Sequence, residues 1–310
     1  MPKRILITGG AGFIPSSLGE ALANLPNYQV VLVDNMLTGK QKHIPQKENV
    51  HFIKADVNDI HAISAIMTSY KFDAVFHYAA VVGVLRTLKH PSLVLKDIDG
   101  IRNILELSKN TGVKRVFYSS SSEVYGEPVE LPQHEESTPL NSRLPYAVVK
   151  NVGESFFRTY KQEFNLDYTI FRFFNTYGPK QSDDFVVSKF IKAALRNDDI
   201  TIYGDGFQTR TFCYINDNVD FTIKVLEGRY LLNEVVNVGH DKQFTILELA
   251  ETIKKVFGSS SKIVHLPALA EGDMKRRQPD NSKMRSILNR NLLDLEKGLK
   301  LIRDNKVITV

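Results

Sequence analysis

A doubly wound parallel α/β sheet carrying a smaller C-terminal α/β lobe is the fold class the sequence predicts, and three observations predict it. Short apolar runs alternate with longer periodic segments as far as Phe174, the first run breaks into a glycine-rich turn, and the second ends on an acidic residue. At 310 residues the chain exceeds the usual size of one compact domain, so one large and one smaller lobe are expected.

The first run, Lys3-Arg4-Ile5-Leu6-Ile7, reads as a strand, and Thr8-Gly9-Gly10-Ala11-Gly12-Phe13-Ile14 as the turn into a helix that is apolar-periodic through Leu25. Glycine lets such a turn close and lets backbone N–H groups approach a pyrophosphate at the helix N-terminus, where the helix dipole favours negative charge. Gln29-Val30-Val31-Leu32-Val33 reads as a second buried strand ending at Asp34. A carboxylate there accepts hydrogen bonds from a ribose 2′-hydroxyl and repels a 2′-phosphate, which favours NAD over NADP. One residue departs from the pattern: Pro15 stands where a third glycine is expected. Proline has no N–H to donate, but the first helical turn tolerates it because those N–H groups lack intrahelical partners.

Farther along, Ser119-Ser120-Ser121-Ser122-Glu123-Val124-Tyr125-Gly126 precedes Pro145-Tyr146-Ala147 and Lys150. Tyr146 and Lys150, at i and i+4, share a helix face. A lysine there is expected to draw the tyrosine pKa down from about 10, which a general base for an alcohol needs. Beyond Phe174 the chain has shorter strands, Ile200-Thr201-Ile202-Tyr203 and Val235-Val236-Asn237-Val238, and a helix from Ile246 to Phe257. The expected division is 1–174 for the dinucleotide domain, with roughly 209–238 returning to it, and 175–310 mainly for a substrate lobe.

The single Cys213 excludes an internal disulfide framework, and no zinc-ligand cluster is visible, so no metal is expected. The opening of the chain reads as a strand rather than a signal peptide, and no apolar run reaches membrane-spanning length; a cytoplasmic protein without a membrane partner is expected. A net charge of +5 spread along the chain suits an anionic small molecule more than a nucleic acid, and Lys275-Arg276-Arg277, the one dense basic run, reads as a solvated face.

These motifs together resemble the extended short-chain dehydrogenase/reductase superfamily, in particular its NAD-dependent nucleotide-sugar epimerase, dehydratase and decarboxylase branch, over nearly the whole chain. The likeness includes Asp34-Asn35 with Thr38-Gly39, Asp56-Val57, His77-Tyr78-Ala79-Ala80, Arg172 through Pro179, Tyr203 through Arg210, Tyr214 through Asp217 and Arg277-Gln278-Pro279-Asp280. It implies a Rossmann-type sheet and NAD bound by Gly9, Gly12, Phe13, Ile14, Asp34, Asn35, Thr38, Gly39, Asp56, Val57, Tyr78, Ala79 and Ala80, with Tyr146 and Lys150 beside the nicotinamide. It also implies Tyr146 as base and Ser121 as proton shuttle. A nucleotide sugar, a UDP-sugar by preference, would meet Ser122, Asn175, Val187, Phe190, Tyr203, Arg210 and Arg277, the two arginines matching phosphate oxygens with planar forks.

Three fates of a 4-keto sugar separate the enzymes of this branch: return of the hydride to the opposite face, loss of water, or loss of carbon dioxide. Ser122-Glu123 stands where dehydratases carry Asp-Glu, which disfavours 4,6-dehydration. Ser-Glu and Arg277 through Asp280 are similar to the decarboxylases, whereas Ala79 through His90-Pro91 and the Pro145-Tyr146-Ala147 setting are similar to the epimerases. The reading preferred from sequence is a 4-epimerase with Glu123 a passive neighbour; a UDP-glucuronate decarboxylase using Glu123 is the alternative, followed by a dehydratase or a noncatalytic NAD-binding protein. The family pairs two long helical segments across a two-fold axis, and Leu93, Ile98, Ile101, Leu105, Phe156, Phe157, Tyr160 and Phe164 exceed one sheet-facing stripe, so a homodimer is expected.

Overall fold

A computed structural model of the chain describes residues 2–268 and 276–305, so Lys275 of the basic run lies outside the described residues. The first six strands are β1 (Lys3–Thr8), β2 (Tyr28–Asp34), β3 (Val50–Lys54), β4 (Ala74–His77), β5 (Arg115–Ser121) and β6 (Asp167–Phe173). The helices among them are α1 (Phe13–Ala23), α2 (Ile60–Tyr70), α3 (Val84–Lys89), α4 (Pro91–Leu95), α5 (Asp97–Thr111) and α6 (Pro145–Phe164). A strand from much later in the chain, Glu234–Val238, pairs in parallel with β6, completing a seven-stranded parallel sheet in the order 234–238, β6, β5, β4, β1, β2, β3.

The strands read as continuous apolar runs because both sheet faces are covered. Ile5, Ile7, Val30 and Leu32 pack on one face, and Leu6, Val31, Val33, Val75 and Val116 on the other. The order in which successive strands are added reverses between β1 and β4, the point at which crossover helices diverge to opposite sides and leave a crevice at the carboxyl ends of the strands. The smaller lobe is built on the parallel pair Ile200–Tyr203 and Ile263–Leu266, backed by the helices Val186–Arg196 and Ile246–Phe257. Among the described residues no helix is long and apolar enough to cross a membrane, and no group of His, Cys, Asp and Glu could hold a metal ion.

The surplus apolar stripe expected on α5 and α6 is mostly absent. Ile101, Leu105, Phe157 and Tyr160 are buried in this chain's own core, and Leu93, Ile98 and Phe156 are partly covered by it. Phe164 alone of that set is exposed. The physical reason is that α5 and α6 pack on each other and against α4 as well as on the sheet, so α5 and α6 each bury more than one face.

Candidate active site

The crevice is a cavity of about 650 Å³ whose wall is assembled from the carboxyl ends of the strands. Gly9 and Gly12 follow β1, Asp34 ends β2 and Asn35 follows it, Asp56 and Val57 follow β3, Tyr78 to Ala80 follow β4, Ser121 ends β5 with Ser122 and Glu123 after it, and Asn175 follows β6. Phe13, Ile14, Thr38, Tyr146, Lys150, Val187 and Arg277 complete the predicted residues that line it. Gly39, Phe190, Tyr203 and Arg210 do not. Phe190 is a core residue, Tyr203 carries the Lys189 ammonium 5.2 Å above its ring, and Arg210 is buried in a strand paired antiparallel to Gln243–Thr245. Gly39 acts one layer back: a Cβ there would lie 2.8 Å from Asp34 Oδ1.

The glycine turn fits a dinucleotide. Gly9 has φ +71°, and a Cβ on it would sit 3.0 Å from the Ala79 backbone, so only glycine lets this turn lie against the end of β4. Gly12 caps α1 without a side chain, leaving the helix N-terminus open to the cavity. Asp34 accepts from Ala11 N–H at 3.0 Å and Met36 N–H at 2.7 Å, which ties its carboxylate to both loops. Pro15 sits inside an unbroken α1, where Ser16 N–H still reaches Gly12 C=O at 3.2 Å. Close helix-to-strand packing, the role of the missing glycine, falls to Gly19 one turn later, whose added Cβ would meet Leu32 Cδ2 at 2.9 Å. Sequence reasoning missed Gly19, although its position on the apolar face of α1 was visible.

The reacting end is positioned by three local structures. Pro145 occupies the first turn of α6, where its fixed φ suits a helix start, and so sets Tyr146 and Lys150 one turn apart on the cavity side. Ser121 ends β5 and caps the short 3₁₀ turn Ser122–Tyr125; its hydroxyl accepts from Glu123 N–H at 3.2 Å and also hydrogen-bonds Tyr146. Behind β5, Ser120 donates to Glu154 at 2.7 Å, and Glu154 grips Arg172 through two contacts of 2.8 and 2.7 Å.

The expected depression of the Tyr146 pKa by Lys150 is not what the site does. Burial raises the Tyr146 pKa above its ordinary value, and the negative charge of Glu123 adds to this; the Ser121 hydrogen bond and the Arg277 charge pull it down. Lys150 Nζ lies 5.7 Å from the Tyr146 ring centroid and instead approaches Ser119 Oγ at 3.4 Å, over the face of Tyr118. Its own pKa is pushed down to about 8 by burial, against the pull of Asp97.

Two further findings lay beyond sequence reasoning. Arg277 and Glu123, 154 residues apart, form an ion pair of 2.6 Å in the cavity wall, with Ser122 Oγ at 3.5 Å from the same guanidinium. Asp97, at the start of α5, also lines the cavity. Neither carries a local signal, since each acquires its setting from a distant element.

Residues 5–239 match the model of the NAD dependent epimerase/dehydratase family. The chain belongs to that family. It is therefore an enzyme, and its cofactor is NAD. Over 302 residues it is 37% identical to the UDP-N-acetyl-alpha-D-glucosaminuronate decarboxylase of Bacillus cytotoxicus, covering 93% of this chain and 92% of that one. It is 35% identical to a putative UDP-glucose 4-epimerase of Methanocaldococcus jannaschii, covering 96% of each. The structure of UDP-glucose 4-epimerase from Thermotoga maritima, solved with UDP-glucose, superimposes with a TM-score of 0.92 at 30% identity and 98% coverage of both chains. Relatives named for both chemistries thus match this chain over nearly its whole length.

Proposed function

We propose that this family member is a UDP-uronate decarboxylase that works through oxidation of the sugar at C4. The observation that carries the choice is the Glu123–Arg277 pair beside Ser122 in the cavity wall. A largely buried ion pair costs desolvation, and a neutral hexose gives it no task, whereas a sugar carboxylate does. The likeness to the Bacillus decarboxylase supports the same reading.

A bound nicotinamide ring supplies the hydride acceptor at C4 and later the donor. Residues of the glycine turn and Asp34 would hold the pyrophosphate and adenosine ribose, with Asp56 and Val57 toward the base. The diphosphate and uridine of the substrate would lie toward the lobe formed mainly by residues 175–310, past Asn175 and Val187. Tyr146 takes the proton of the 4-hydroxyl, Ser121 orients that oxygen, and Arg277 and Ser121 offset the burial and carboxylates that otherwise keep the phenol protonated.

With a ketone at C4, the C6 carboxylate is β to it. Arg277 receives that carboxylate, while Glu123, facing the same place, favours its departure as neutral carbon dioxide. The C5–C6 bonding pair remains as an enolate, a proton reaches C5 from water through Ser122 and Glu123, and Tyr146 returns its proton to the C4 oxygen. One proton is consumed for each carbon dioxide released.

A 4-epimerase is the second reading, favoured by the likeness to the Thermotoga epimerase. It uses the same Tyr146, Ser121 and Lys150 but needs no Glu123. Incubation with UDP-glucuronate, UDP-N-acetylglucosaminuronate, UDP-glucose and UDP-N-acetylglucosamine, followed by product NMR and carbon dioxide trapping, separates them. Carbon dioxide with a UDP-pentose is the expected result; interconversion of 4-epimers without it establishes the second reading. Assembly as a homodimer through α5 and α6 belongs to the same proposal, supported by exposed Val148 and Phe164, and a monomeric mass in light scattering would exclude it.

A further inference from the structure

Lys150 is 3% exposed, and burying an ammonium carries a cost that its surroundings must offset. Among the described residues its one hydrogen bond is to Ser119 Oγ, at 3.4 Å, a long contact with a neutral group. On α6 itself the Tyr146 ring centroid lies 5.7 Å from Nζ. His77, which ends β4, is kept neutral by burial, aided by the Lys150 charge, and its pKa is pushed down to about 3. Asp97, at the start of α5, favours the ammonium, and Asp56 and Lys96 line the same cavity. From β5 the Tyr118 ring presents its face to Nζ, with its centroid 5.0 Å away.

That ring is built into its place. Tyr118 is 1% exposed, stacks on Phe157 of α6 with centroids 4.8 Å apart, and has the His77 ring nearly parallel to it at 6.1 Å. Gly153, three residues after Lys150 and on the same side of α6, makes the approach possible, because a Cβ there would collide with the Tyr118 hydroxyl. The hydroxyl itself has no described hydrogen-bond partner, so the packing serves the ring rather than its polar end. We propose that Tyr118 is a positioning residue of the Tyr146–Lys150 pair, the negative face of its ring receiving the Lys150 ammonium and holding it at the cavity wall beside Tyr146. Ser119, the next residue of β5, completes the seat: its hydroxyl donates to His77 C=O at 3.4 Å and keeps a lone pair for Nζ. A cation held against a ring is stabilised most where water is excluded, as it is here. The electrostatics agree in direction. Burial pushes the Lys150 pKa down to about 8 against the pull of Asp97, and a ring face that favours the ammonium extends its charged range upward.

This role rests on the part proposed for Lys150 in the reaction, so the lysine is read directly. Carbon NMR of lysine-labelled enzyme follows the deprotonation of each amine, and the resonance lost in Lys150→Arg assigns Lys150. Tyr118→Leu removes the ring face, and the Lys150 midpoint should fall by about one pH unit. Tyr118→Phe keeps the face and removes only the hydroxyl, and its midpoint should stay near wild type. Where the leucine variant does not fold, Tyr118→Met fills the space with a flexible side chain that has no π face, and the same fall is expected. An unmoved midpoint in the folded Leu or Met variant overturns the proposal, as does an equal fall in Tyr118→Phe, which assigns the effect to the hydroxyl. The alkaline limb of kcat/KM should follow the midpoint downward in Tyr118→Leu and hold in Tyr118→Phe. If the midpoint moves and the limb does not, the seat for the ammonium stands and the part given to Lys150 in the reaction is what fails.

Discussion

Two arginine–glutamate pairs lie near the carboxyl end of β5, and they are built for opposite ends. Between α6 and β6, Arg172 and Glu154 are 1% and 0% exposed, and every polar atom is engaged. Glu154 also accepts from Ser120 at 2.7 Å and Arg158 at 3.2 Å, while Arg172 Nη1 donates to Tyr125 Oη at 2.8 Å and Glu135 C=O at 3.0 Å. Tyr125 in turn donates to Asn237 at 2.8 Å, joining β5, α6, β6 and the returning strand 234–238. Beyond the end of the strand, Arg277 and Glu123 meet through a contact of 2.6 Å, and both line the cavity. The same two side-chain types thus make a closed network where the sheet needs fixing and an open pair where a ligand can enter. Access to the cavity, rather than the presence of the pair, distinguishes site from scaffold.

Breaking the closed pair should have the largest effect. Arg172→Leu strands the Glu154 carboxylate in the core and is expected to cost about 3–5 kcal/mol of stability, read by urea denaturation. A loss near zero would erase the contrast drawn above. For the open pair the expectation is reversed. Glu123→Gln should leave the denaturation midpoint almost unchanged and lower kcat on a UDP-uronate by about 10²-fold, because the group acts on the reaction and not on the fold. If the wild-type enzyme proves to be an epimerase, that variant stays within a few-fold of wild type on its 4-epimers.

Tyr146→Phe removes one hydroxyl from the same open region and should lower kcat by about 10² or more with the fold intact; retention of a tenth of the activity would remove Tyr146 from the proton transfer. A smaller, graded effect follows from pH. Lys150 has a lowered pKa of about 8, so its ammonium is present below that pH and is lost above it, and activity should decline on the alkaline side. Flat activity through pH 9 would show that the charge on Lys150 is dispensable. The smallest effect is expected at Pro15→Gly. Because Gly19 already supplies the close approach to Leu32, NAD affinity should stay within about threefold, and stability should fall by about 0.4–1 kcal/mol from the added freedom of the unfolded chain.

Much of the site was legible because its residues sit at strand ends, where short motifs report the backbone directly. Gly9 to Gly12, Asp34, Asp56, Tyr78 to Ala80, Ser121 and Tyr146 with Lys150 are all contiguous with, or one helical turn from, the element that aims them. Phe190, Tyr203 and Arg210, assigned by resemblance, do not line the cavity, and the short strands of their lobe say little about which face they present. The tyrosine's pKa was misjudged for a related reason. Helical spacing establishes that Tyr146 and Lys150 share a face, but it says nothing of how much water remains there, and desolvation is the larger influence.

The sequence alone determined the parallel sheet, the dinucleotide turn, the acidic end of β2 and the Tyr-Lys helix, since each depends on periodicity or on neighbours within a few residues. Only the tertiary structure decided that Glu123 meets Arg277, that Gly19 does the work expected of a glycine at Pro15, and that the apolar faces of α5 and α6 are mostly consumed inside the chain. Those outcomes depend on contacts between residues far apart in sequence and on the exclusion of water around them, and neither quantity is encoded in any local pattern of side chains.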